Sequence, residues 1–384
     1  MKHAIFLVPG FLGFKQIGGL YYFHGVREIL KELLPQNNVE AEVFRVKTRP
    51  TASIRKRAEA LMQTIIDEGG LEAENITLIG HSTGGLDARL IATPHVFFKE
   101  IKREKAVMDR LKNVITVSTP HYGTPLAQFF TSAQGRNALN ILSSMSVSLP
   151  GRIVLTGASR LIALVAVIDD YFGQKDTGLD FLVKHLLEEI TLNKDAAFWQ
   201  FLHDISEDAG ALFQLTPEVM DLFNAVVMDN ESVHYASIIN SAPPPSWVYG
   251  FQEFKSIYSP ISMGLFTVIY ALTRRPPKQY PYPKPDENLA RRIDQNLGFK
   301  HTDRSNDGVV PLLSQIWGDV IHVTLGDHLD VVGQFEAAGG NPKYATWLTS
   351  GSKFNEKRFR ELWKAVAFAI KKSEEDEQKV KIYR

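Results

Sequence analysis

The chain has 384 residues, 44% of them hydrophobic, so it is long enough to bury a substantial core. Its 43 basic and 43 acidic residues give a formal net charge of zero, which leaves no overall field to attract nucleic acid or an anionic membrane. The absence of cysteine excludes disulfides, thiolate metal ligands and a cysteine nucleophile.

Short β-rich segments alternate with longer helical patterns, which is typical of a parallel sheet covered by helices. Apolar runs predict strands at 4–8, 41–46, 76–80, 114–118, 234–239 and 320–325, and apolar residues at helical spacing predict helices at 25–34, 52–68, 84–92, 216–228 and 354–372. The near-continuous apolar character of the strands indicates burial on both faces. The predicted fold class is therefore α/β, with three layers and a mostly parallel central sheet.

A long insertion interrupts this alternation. The span 126–232 separates two predicted strands and carries its own apolar segments, so we predict a helical cap inserted into a core formed by residues 1–125 and 233–372. A second candidate cap element covers 243–285, between proline-rich stretches. The charged residues 373–384 are expected to form a solvated or frayed tail.

The apolar segments also bear on location. The run at 4–8 ends at Pro9 and is too short for a secretory signal. The apolar stretches 161–168 and 257–272 are shorter than the roughly 18 residues that suggest a membrane span. The sequence therefore predicts a chain without a transmembrane segment that is cytoplasmic by default, with secretion without a cleaved signal as the alternative.

The motif Gly80-His-Ser-Thr-Gly84 directly follows one predicted strand and directly precedes a predicted helix. A serine on a strained strand-to-helix turn, with glycine two residues before and after it, is typical of a nucleophile elbow. The serine hydroxyl then lies at a helix N-terminus, where developing negative charge is favoured. We therefore predict that Ser82 is a catalytic nucleophile. The alternative is a glycine-rich turn with an incidental serine.

A serine nucleophile needs a base to remove its proton, and an imidazole needs a carboxylate to hold its tautomer. In the chain order of hydrolases with this elbow, the acid and then the histidine follow the serine. His121 comes too early and is expected to be structural, which leaves His301, His322 and His328 among the eleven histidines. His322 falls inside a predicted strand, whereas His328 follows the end of that strand. His328 is therefore the predicted base.

The predicted acid is Asp307, in the turn Asn306-Asp-Gly308, with one strand between it and His328. Its nearest rivals are Asp303 and Asp327. Asp-Gly is also an ordinary turn signal, so a purely structural turn is the alternative.

An oxyanion hole needs two backbone N–H groups directed at the tetrahedral oxygen. One is expected from Thr83, which follows the nucleophile. The other is expected from Phe11, in the loop after the first strand, where Gly10 lets the chain turn. A simple turn between strand and helix is the alternative for this loop.

Several blocks of the sequence resemble the bacterial family I lipases, and their order and spacing match over most of the chain. The blocks are Val8-Pro-Gly-Phe-Leu-Gly-Phe14, Tyr22-Phe-His-Gly25, Gly80-His-Ser-Thr-Gly-Gly85, Ser118-Thr-Pro-His-Tyr-Gly-Thr124, Asn306-Asp-Gly-Val-Val310 and His328-Leu-Asp-Val-Val-Gly-Gln334. The resemblance implies an α/β-hydrolase fold, a Ser82, Asp307 and His328 triad, and a mobile helical lid over an acyl-binding cleft. Three departures are Pro9 in place of a usual histidine, a longer insertion after residue 126, and the lack of a disulfide. The first two bear on substrate range more than on reaction type.

The resemblance also implies a structural calcium ion. Family members with this His-Leu-Asp arrangement use that aspartate, here Asp330, together with an earlier one, for which Asp286 is the candidate, and Gln334 lies nearby in sequence. The alternative is that Asp330 caps the helix that follows. No organic cofactor is expected.

Together these residues predict a serine carboxylic-ester hydrolase that cleaves fatty-acyl esters through an acyl-enzyme on Ser82. The expected partners are a lipid substrate and, transiently, a lipid interface, with no nucleic acid. An acyltransferase or polyester depolymerase would use the same triad, and a non-catalytic binding protein could occupy the same scaffold. An intact serine, aspartate and histidine in the right order favour the enzyme.

Overall fold

The computed structural model describes residues 2–10, 16–17, 20–48, 52–131, 210–245, 259–275, 282–335 and 350–382. Its centre is a six-stranded parallel sheet with the strand order β4-β1-β5-β6-β7-β8, and β2 and β3 form a separate two-stranded antiparallel ribbon. The strands are β1 (His3–Val8), β2 (Gln16–Ile17), β3 (Leu20–Tyr21), β4 (Ala41–Arg45), β5 (Asn75–His81), β6 (Leu111–Val117), β7 (His234–Ser241) and β8 (Asp319–Leu325).

Helices connect these strands and cover the sheet. They are α1 (Val26–Gln36), α2 (Ile54–Asp67), α3 (Thr83–Ala92), α4 (Ile101–Arg110), α5 (Pro125–Thr131), α6 (Gly210–Gln214), α7 (Pro217–Val226), α8 (Ser259–Thr273), α9 (Glu287–Leu297) and α10 (Glu356–Ile382). Short 3₁₀ turns lie at Leu312–Gln315 and Asp330–Val332.

The two faces of the sheet bury different residues of the same strands. On one face, Ile5 and Leu7 of β1 pack with apolar residues of α1 and α10, among them the fully buried Trp363. On the other face, the alternate residues Ala4, Phe6 and Val8 pack with residues of α2, α3 and α4. Because successive strand side chains point to opposite faces, β1 can be apolar throughout and still fill two cores. The predicted three-layer α/β architecture is confirmed.

A backbone hydrogen bond joins the segments on either side of the undescribed part of the long insertion. The backbone N–H of Thr124, just before α5, donates to the carbonyl of Leu215, just after α6, at 2.9 Å. A Cβ on Gly123 would lie 2.7 Å from that same carbonyl oxygen. The residue before α5 and the residue after α6 are therefore joined, on either side of the part of the insertion that is not described.

The cap predictions fall largely on residues outside the described part of the chain. Of the first cap, 126–232, residues 132–209 lie outside it, and the described ends contain α5, α6 and α7. Of the second candidate cap, 246–258 and 276–281 lie outside it, and α8 lies between them. Both caps therefore stay predictions. None of the helices in the described ranges is long and apolar enough to cross a bilayer.

The C-terminal helix extends into the span for which a solvated or frayed tail was expected. Residues 373–382 are helical and continue α10; 383–384 lie outside the described residues. Two contacts explain this continuation. Glu374 accepts a 2.6 Å contact from the buried His3 ring, and Lys371 pairs with Glu375 at 3.6 Å across one helical turn.

Among the described helices outside the two predicted cap elements, α4 and α9 are absent from the sequence prediction. Each has a mostly polar surface and buries only two residues, Glu104 and Val107 in α4 and Ile293 and Leu297 in α9. So narrow an apolar stripe gives a weak periodic signal.

Candidate active site

Ser82 lies at the junction of β5 and α3, in the strained conformation that a nucleophile elbow requires. Its φ of 55° and ψ of −130° are unusual for a residue with a side chain. The flanking glycines are needed for close approach: a Cβ on Gly80 would lie 2.4 Å from the backbone of Gly84, and a Cβ on Gly84 would lie 2.3 Å from the Val8 carbonyl oxygen. The strand, turn and helix predicted around this motif are therefore all present.

Asp307 and His328 form a buried acid–base pair. The His328 ring nitrogen Nδ1 lies 2.7 Å from Asp307 Oδ2, and the His328 backbone N–H donates to the Asp307 carbonyl at 2.9 Å. The other carboxylate oxygen accepts backbone N–H groups from Val309 at 2.9 Å and Val310 at 2.7 Å. Gln315 donates its amide to Oδ2 at 3.3 Å. With a proton on Nδ1, the His328 ring keeps Nε2 as the nitrogen that can accept a proton.

The rival acids and bases have other environments. His301 lies on the surface beside Asp294, with a ring–carboxylate distance of 2.5 Å. His322 lies within β8, where burial lowers its pKa. Asp303 is exposed, and Asp327 is buried under hydrogen bonds from its own turn and from Ser350.

The structure places His328 beside the elbow. Its ring packs on that of His81, the residue before Ser82, with ring centroids 4.7 Å apart. Within the described residues, no hydrogen bond joins the Ser82 hydroxyl to the His328 ring. Such contacts are often long without substrate and tighten in the Michaelis complex. The structure thus brings acid and base together next to the elbow, and the serine–base contact stays a prediction.

Of the two expected oxyanion donors, Phe11 lies outside the described residues. Thr83 is the first residue of α3, so its backbone N–H is one of those that a helix N-terminus leaves without an intrahelical partner. The residue is buried, and its side-chain hydroxyl is without a hydrogen-bond partner in the described part of the chain.

A buried ion pair lies beneath the loop that leads to Phe11. Arg57 of α2 and Asp87 of α3 are both fully buried and lie 2.8 Å apart. Arg57 also donates to the carbonyls of Pro9 at 2.7 Å and Gly10 at 3.3 Å. Burial raises the pKa of Asp87 to about 6, and the Arg57 charge opposes that rise. The guanidinium therefore holds the carbonyls of Pro9 and Gly10, in the loop expected to supply an oxyanion donor, and the Asp87 carboxylate balances its charge.

Sequence reasoning did not identify Arg57 and Asp87 as functional residues, although a signal was present. Arg57 falls three residues after Ile54 and four before Leu61, on the apolar face of its helix. A charged residue at such a position is rarely buried without a partner. The partner, 30 residues away in sequence, could not be identified from one chain.

His121 is structural, as expected. Its Nδ1 accepts from Arg89 at 3.2 Å, Nε2 faces the Thr116 hydroxyl at 3.1 Å, and the ring stacks on Trp317. The Arg89 guanidinium carbon in turn lies 3.4 Å from the Trp317 ring centroid. Burial, and then the Arg89 charge, lowers the His121 pKa well below its usual value.

The three residues expected to bind calcium each make separate hydrogen bonds, and the calcium site stays a prediction. Asp286 is exposed and caps α9 by accepting the Leu289 N–H at 2.8 Å. Asp330 is buried and accepts from the Asp327 N–H and the Ser352 hydroxyl. Gln334 directs its amide N–H to the Tyr22 carbonyl. Over the described ranges, no group of three or more acidic or histidine side chains could hold a metal ion.

The sheet order, the elbow and the acid–base pair together define the α/β-hydrolase fold, and solved structures agree. The Staphylococcus hyicus lipase matches with a TM-score of 0.52 at 15% identity, covering 98% of this chain and 97% of that one. Lipase 1 of Pelosinus fermentans matches with a TM-score of 0.51 at 16% identity, covering 96% of this chain and 98% of that one. EstA of Clostridium botulinum matches with a TM-score of 0.50 at 19% identity, covering 96% of this chain and 86% of that one. At these identities the likeness shows the fold alone.

Two curated proteins that are similar to this chain in sequence are both named triacylglycerol lipase. A triacylglycerol lipase of Pseudomonas fragi is 28% identical over 164 residues, which cover 42% of this chain and 50% of that protein. A triacylglycerol lipase of Vibrio cholerae is 27% identical over 177 residues, which cover 45% and 46%. No protein-family model matches the chain. The chain thus spans about half the length of the curated relatives it matches, and the resemblance to bacterial lipases indicated by the motifs is confirmed.

Proposed function

We propose that the protein hydrolyses carboxylic esters of fatty acids through an acyl-enzyme on Ser82. The observation that carries this proposal is the buried pair of Asp307 and His328, 2.7 Å apart and packed against the residue that precedes a serine at φ 55°. Relatives named triacylglycerol lipase support the choice of ester chemistry.

In the proposed mechanism, His328 Nε2 takes the proton of the Ser82 hydroxyl as the oxygen attacks the ester carbonyl. The same nitrogen then gives that proton to the leaving alcohol. A water molecule, activated in turn by His328, releases the fatty acid from the serine. Asp307 holds the ring with its proton on Nδ1 and stabilises the imidazolium that forms.

Asp307 is well suited to this role because hydrogen bonds fix both of its oxygens. The backbone N–H groups of Val309 and Val310 hold one, and Gln315 donates to the other, the oxygen that also contacts the His328 ring. A carboxylate with its lone pairs occupied cannot rotate away from the imidazole. The Thr83 and Phe11 N–H groups would stabilise the oxyanion, which typically contributes on the order of 10²–10³ to kcat per donor.

A fatty-acyl substrate is favoured over a short polar ester by the names of the relatives and by the apolar cap predicted at 126–232. Acyl transfer to an alcohol is the second candidate, since the same acyl-enzyme can be resolved by water or by an alcohol. The two are separated by adding an alcohol acceptor and measuring the ester product against the free acid.

The experiment is hydrolysis of p-nitrophenyl esters from short to long acyl chains, with Ser82→Ala and His328→Ala as test variants. Loss of either group should lower kcat by about 10⁴–10⁶ while the protein stays folded. A fluorophosphonate should label wild type and not Ser82→Ala. Ser118→Ala is the matched control for labelling, because Ser118 also follows a strand with a left-handed φ of 51°. Full activity of Ser82→Ala would refute the proposal, and His322→Ala as inactive as His328→Ala would reassign the base.

A further inference from the structure

A line of hydrogen bonds connects the oxyanion loop to the loop that carries His328. The Gly10 N–H lies 2.9 Å from the Tyr22 hydroxyl, which lies 2.6 Å from His81 Nδ1. His81 Nε2 lies 2.8 Å from the backbone carbonyl of His328. Tyr22 and His81 are both buried, so each of these polar atoms depends on the next one.

The chemistry of the groups fixes the direction of donation. The Gly10 N–H can only donate, so the Tyr22 oxygen accepts from it and gives its own proton to His81 Nδ1. His81 Nε2 must then carry a proton, because its partner, the His328 carbonyl, can only accept. A doubly protonated His81 would turn Nδ1 into a donor, so the Tyr22 hydroxyl could no longer donate to it. The line is complete only with neutral His81 protonated on Nε2.

The surroundings favour that state. Burial, and then the nearby His328, lowers the His81 pKa well below its usual value. Burial also raises the Tyr22 pKa, so the phenol keeps its proton. The Tyr22 hydroxyl therefore keeps the proton that it donates. A neutral His81 with its one proton on Nε2 leaves Nδ1 able to accept the hydrogen bond from Tyr22.

The packing around this line leaves little freedom of movement. A Cβ on Gly10 would lie 2.5 Å from Ser82 Cβ and 2.8 Å from the Tyr22 hydroxyl. The rings of Tyr22 and His81 lie 5.5 Å apart, and those of His81 and His328 lie 4.7 Å apart. A second tie runs in parallel, because Gln334, beyond His328, donates to the Tyr22 carbonyl at 3.4 Å.

We infer that Tyr22 and His81 are positioning residues that hold the oxyanion loop and the loop of the catalytic base in one fixed relation to Ser82. The inference rests on the proposed hydrolase function. Neither side chain takes part in the bond changes. Both act on backbone groups, the Gly10 N–H on one side and the His328 carbonyl on the other. They are expected to affect kcat, because the base and the oxyanion donors must act together in the transition state.

The variants separate the two halves of the line. Tyr22→Phe removes the hydroxyl. His81→Asn keeps an acceptor near the position of Nδ1 and loses the donor to His328, whereas His81→Gln keeps a donor near the position of Nε2 and loses the acceptor. Tyr235→Phe is the matched control, because the buried Tyr235 hydroxyl also accepts a backbone N–H, from Asn230 at 2.9 Å, in another part of the protein.

We expect Tyr22→Phe to lower kcat for a soluble ester by about tenfold to a hundredfold with little change in KM, because small displacements of catalytic groups have effects of that size. His81→Asn should be at least as impaired, and His81→Gln should recover part of the activity. The double variant Tyr22→Phe with His81→Asn should be no worse than His81→Asn alone, since the two residues form one line. Tyr235→Phe should lower the melting temperature comparably and leave kcat unchanged.

A measurement without turnover tests the same line. The ¹⁵N chemical shifts of labelled histidine should show His81 neutral and protonated on Nε2 from pH 6 to pH 8, and Tyr22→Phe should shift its Nδ1 signal. The inference is overturned if His81 takes a second proton in that range, or if Tyr22→Phe loses stability but keeps full kcat. A wild-type protein without ester turnover would refute the proposed function, and the ring signals would still decide whether the hydrogen-bond line exists.

Discussion

Variants of the buried pair of Arg57 and Asp87 are expected to affect stability and kcat differently. Both side chains are fully buried and 2.8 Å apart, so Arg57→Met leaves the Asp87 carboxyl alone in the core. Breaking such a pair from one side costs about 3–5 kcal/mol. For a large domain this corresponds to a fall in melting temperature of roughly 10 °C.

Removing both charges should restore most of the stability. In Arg57→Met with Asp87→Leu, apolar side chains fill the space, and such replacements of buried ion pairs are often neutral or stabilising by about 1–4 kcal/mol. Activity should not return, because the carbonyls of Pro9 and Gly10 still lack the donors that Arg57 places 2.7 and 3.3 Å away. A displaced oxyanion loop should lower kcat by about a hundredfold, the size of the loss of one oxyanion donor.

The assay is thermal unfolding by circular dichroism together with steady-state kinetics on a soluble ester. Arg110→Met is the matched control, since Arg110 also donates to two backbone carbonyls, those of Ala73 and Ala106, at the start of β6 and away from the loop. It should keep full kcat. A double variant that regains both melting temperature and kcat would show that Arg57 is only half of a structural pair.

Three further predictions concern other residues. The His121 pKa is lowered by burial and by Arg89, so the unfolded chain binds the extra proton, and this residue's contribution to stability is present above about pH 6.5 and lost below it, by up to about 1.4 kcal/mol per pH unit. The melting temperature should therefore fall less steeply from pH 6.5 to pH 5 in His121→Gln than in wild type, and equal slopes would contradict the assignment. Because Asp286 caps a helix, Asp286→Ala should lower stability by about 1 kcal/mol, and excess chelator should leave the melting temperature unchanged; a fall restored by added calcium would disprove this. Gln315→Leu removes a donor from Asp307 and should lower kcat about tenfold, the fold-change equal to a lost hydrogen bond to a charged group, and an unchanged kcat would show that the backbone donors suffice.

The strands of the sheet could be predicted from the sequence because each of them is a short, nearly continuous run of apolar residues. Each predicted strand matches an observed one to within one residue at either end, except that β6 begins three residues earlier and β7 ends two residues later than predicted. A strand buried on both faces is an almost continuous run of apolar residues, which is readily seen in the sequence. The polar helices α4 and α9 lacked such a signal. The start of α4 depends instead on polar contacts with the preceding loop, where the Glu104 carboxylate accepts the N–H groups of Phe98, Lys99 and Glu100.

The acid–base pair could be proposed from chain order and strand ends, and the structure brings those two residues together. What supports them could not be proposed in that way. The Tyr22 hydroxyl accepts from the Gly10 N–H, and Arg57 donates to the Pro9 carbonyl. Gln315 donates to Asp307. The partners in these hydrogen bonds lie far apart in sequence or in unrelated motifs. A single sequence carries no record of such pairings, whereas a motif with fixed local spacing does. The calcium donors were proposed from the resemblance alone; Asp286 and Asp330 make separate hydrogen bonds, and the ion stays a prediction.

The hydrogen bond between Thr124 and Leu215 bears on how the inserted segment can change in length and sequence during evolution. Because the Thr124 N–H donates to the Leu215 carbonyl, the residues on either side of the segment 125–214 are held next to each other, as they are where a domain is inserted. Lengthening or exchanging such a segment adds little loop-closure entropy, about 0.6 kcal/mol per doubling of its length. The strands, the elbow and the acid–base pair lie outside it. Selection can therefore change the length and sequence of the inserted segment while the residues of the elbow and of the acid–base pair stay unchanged.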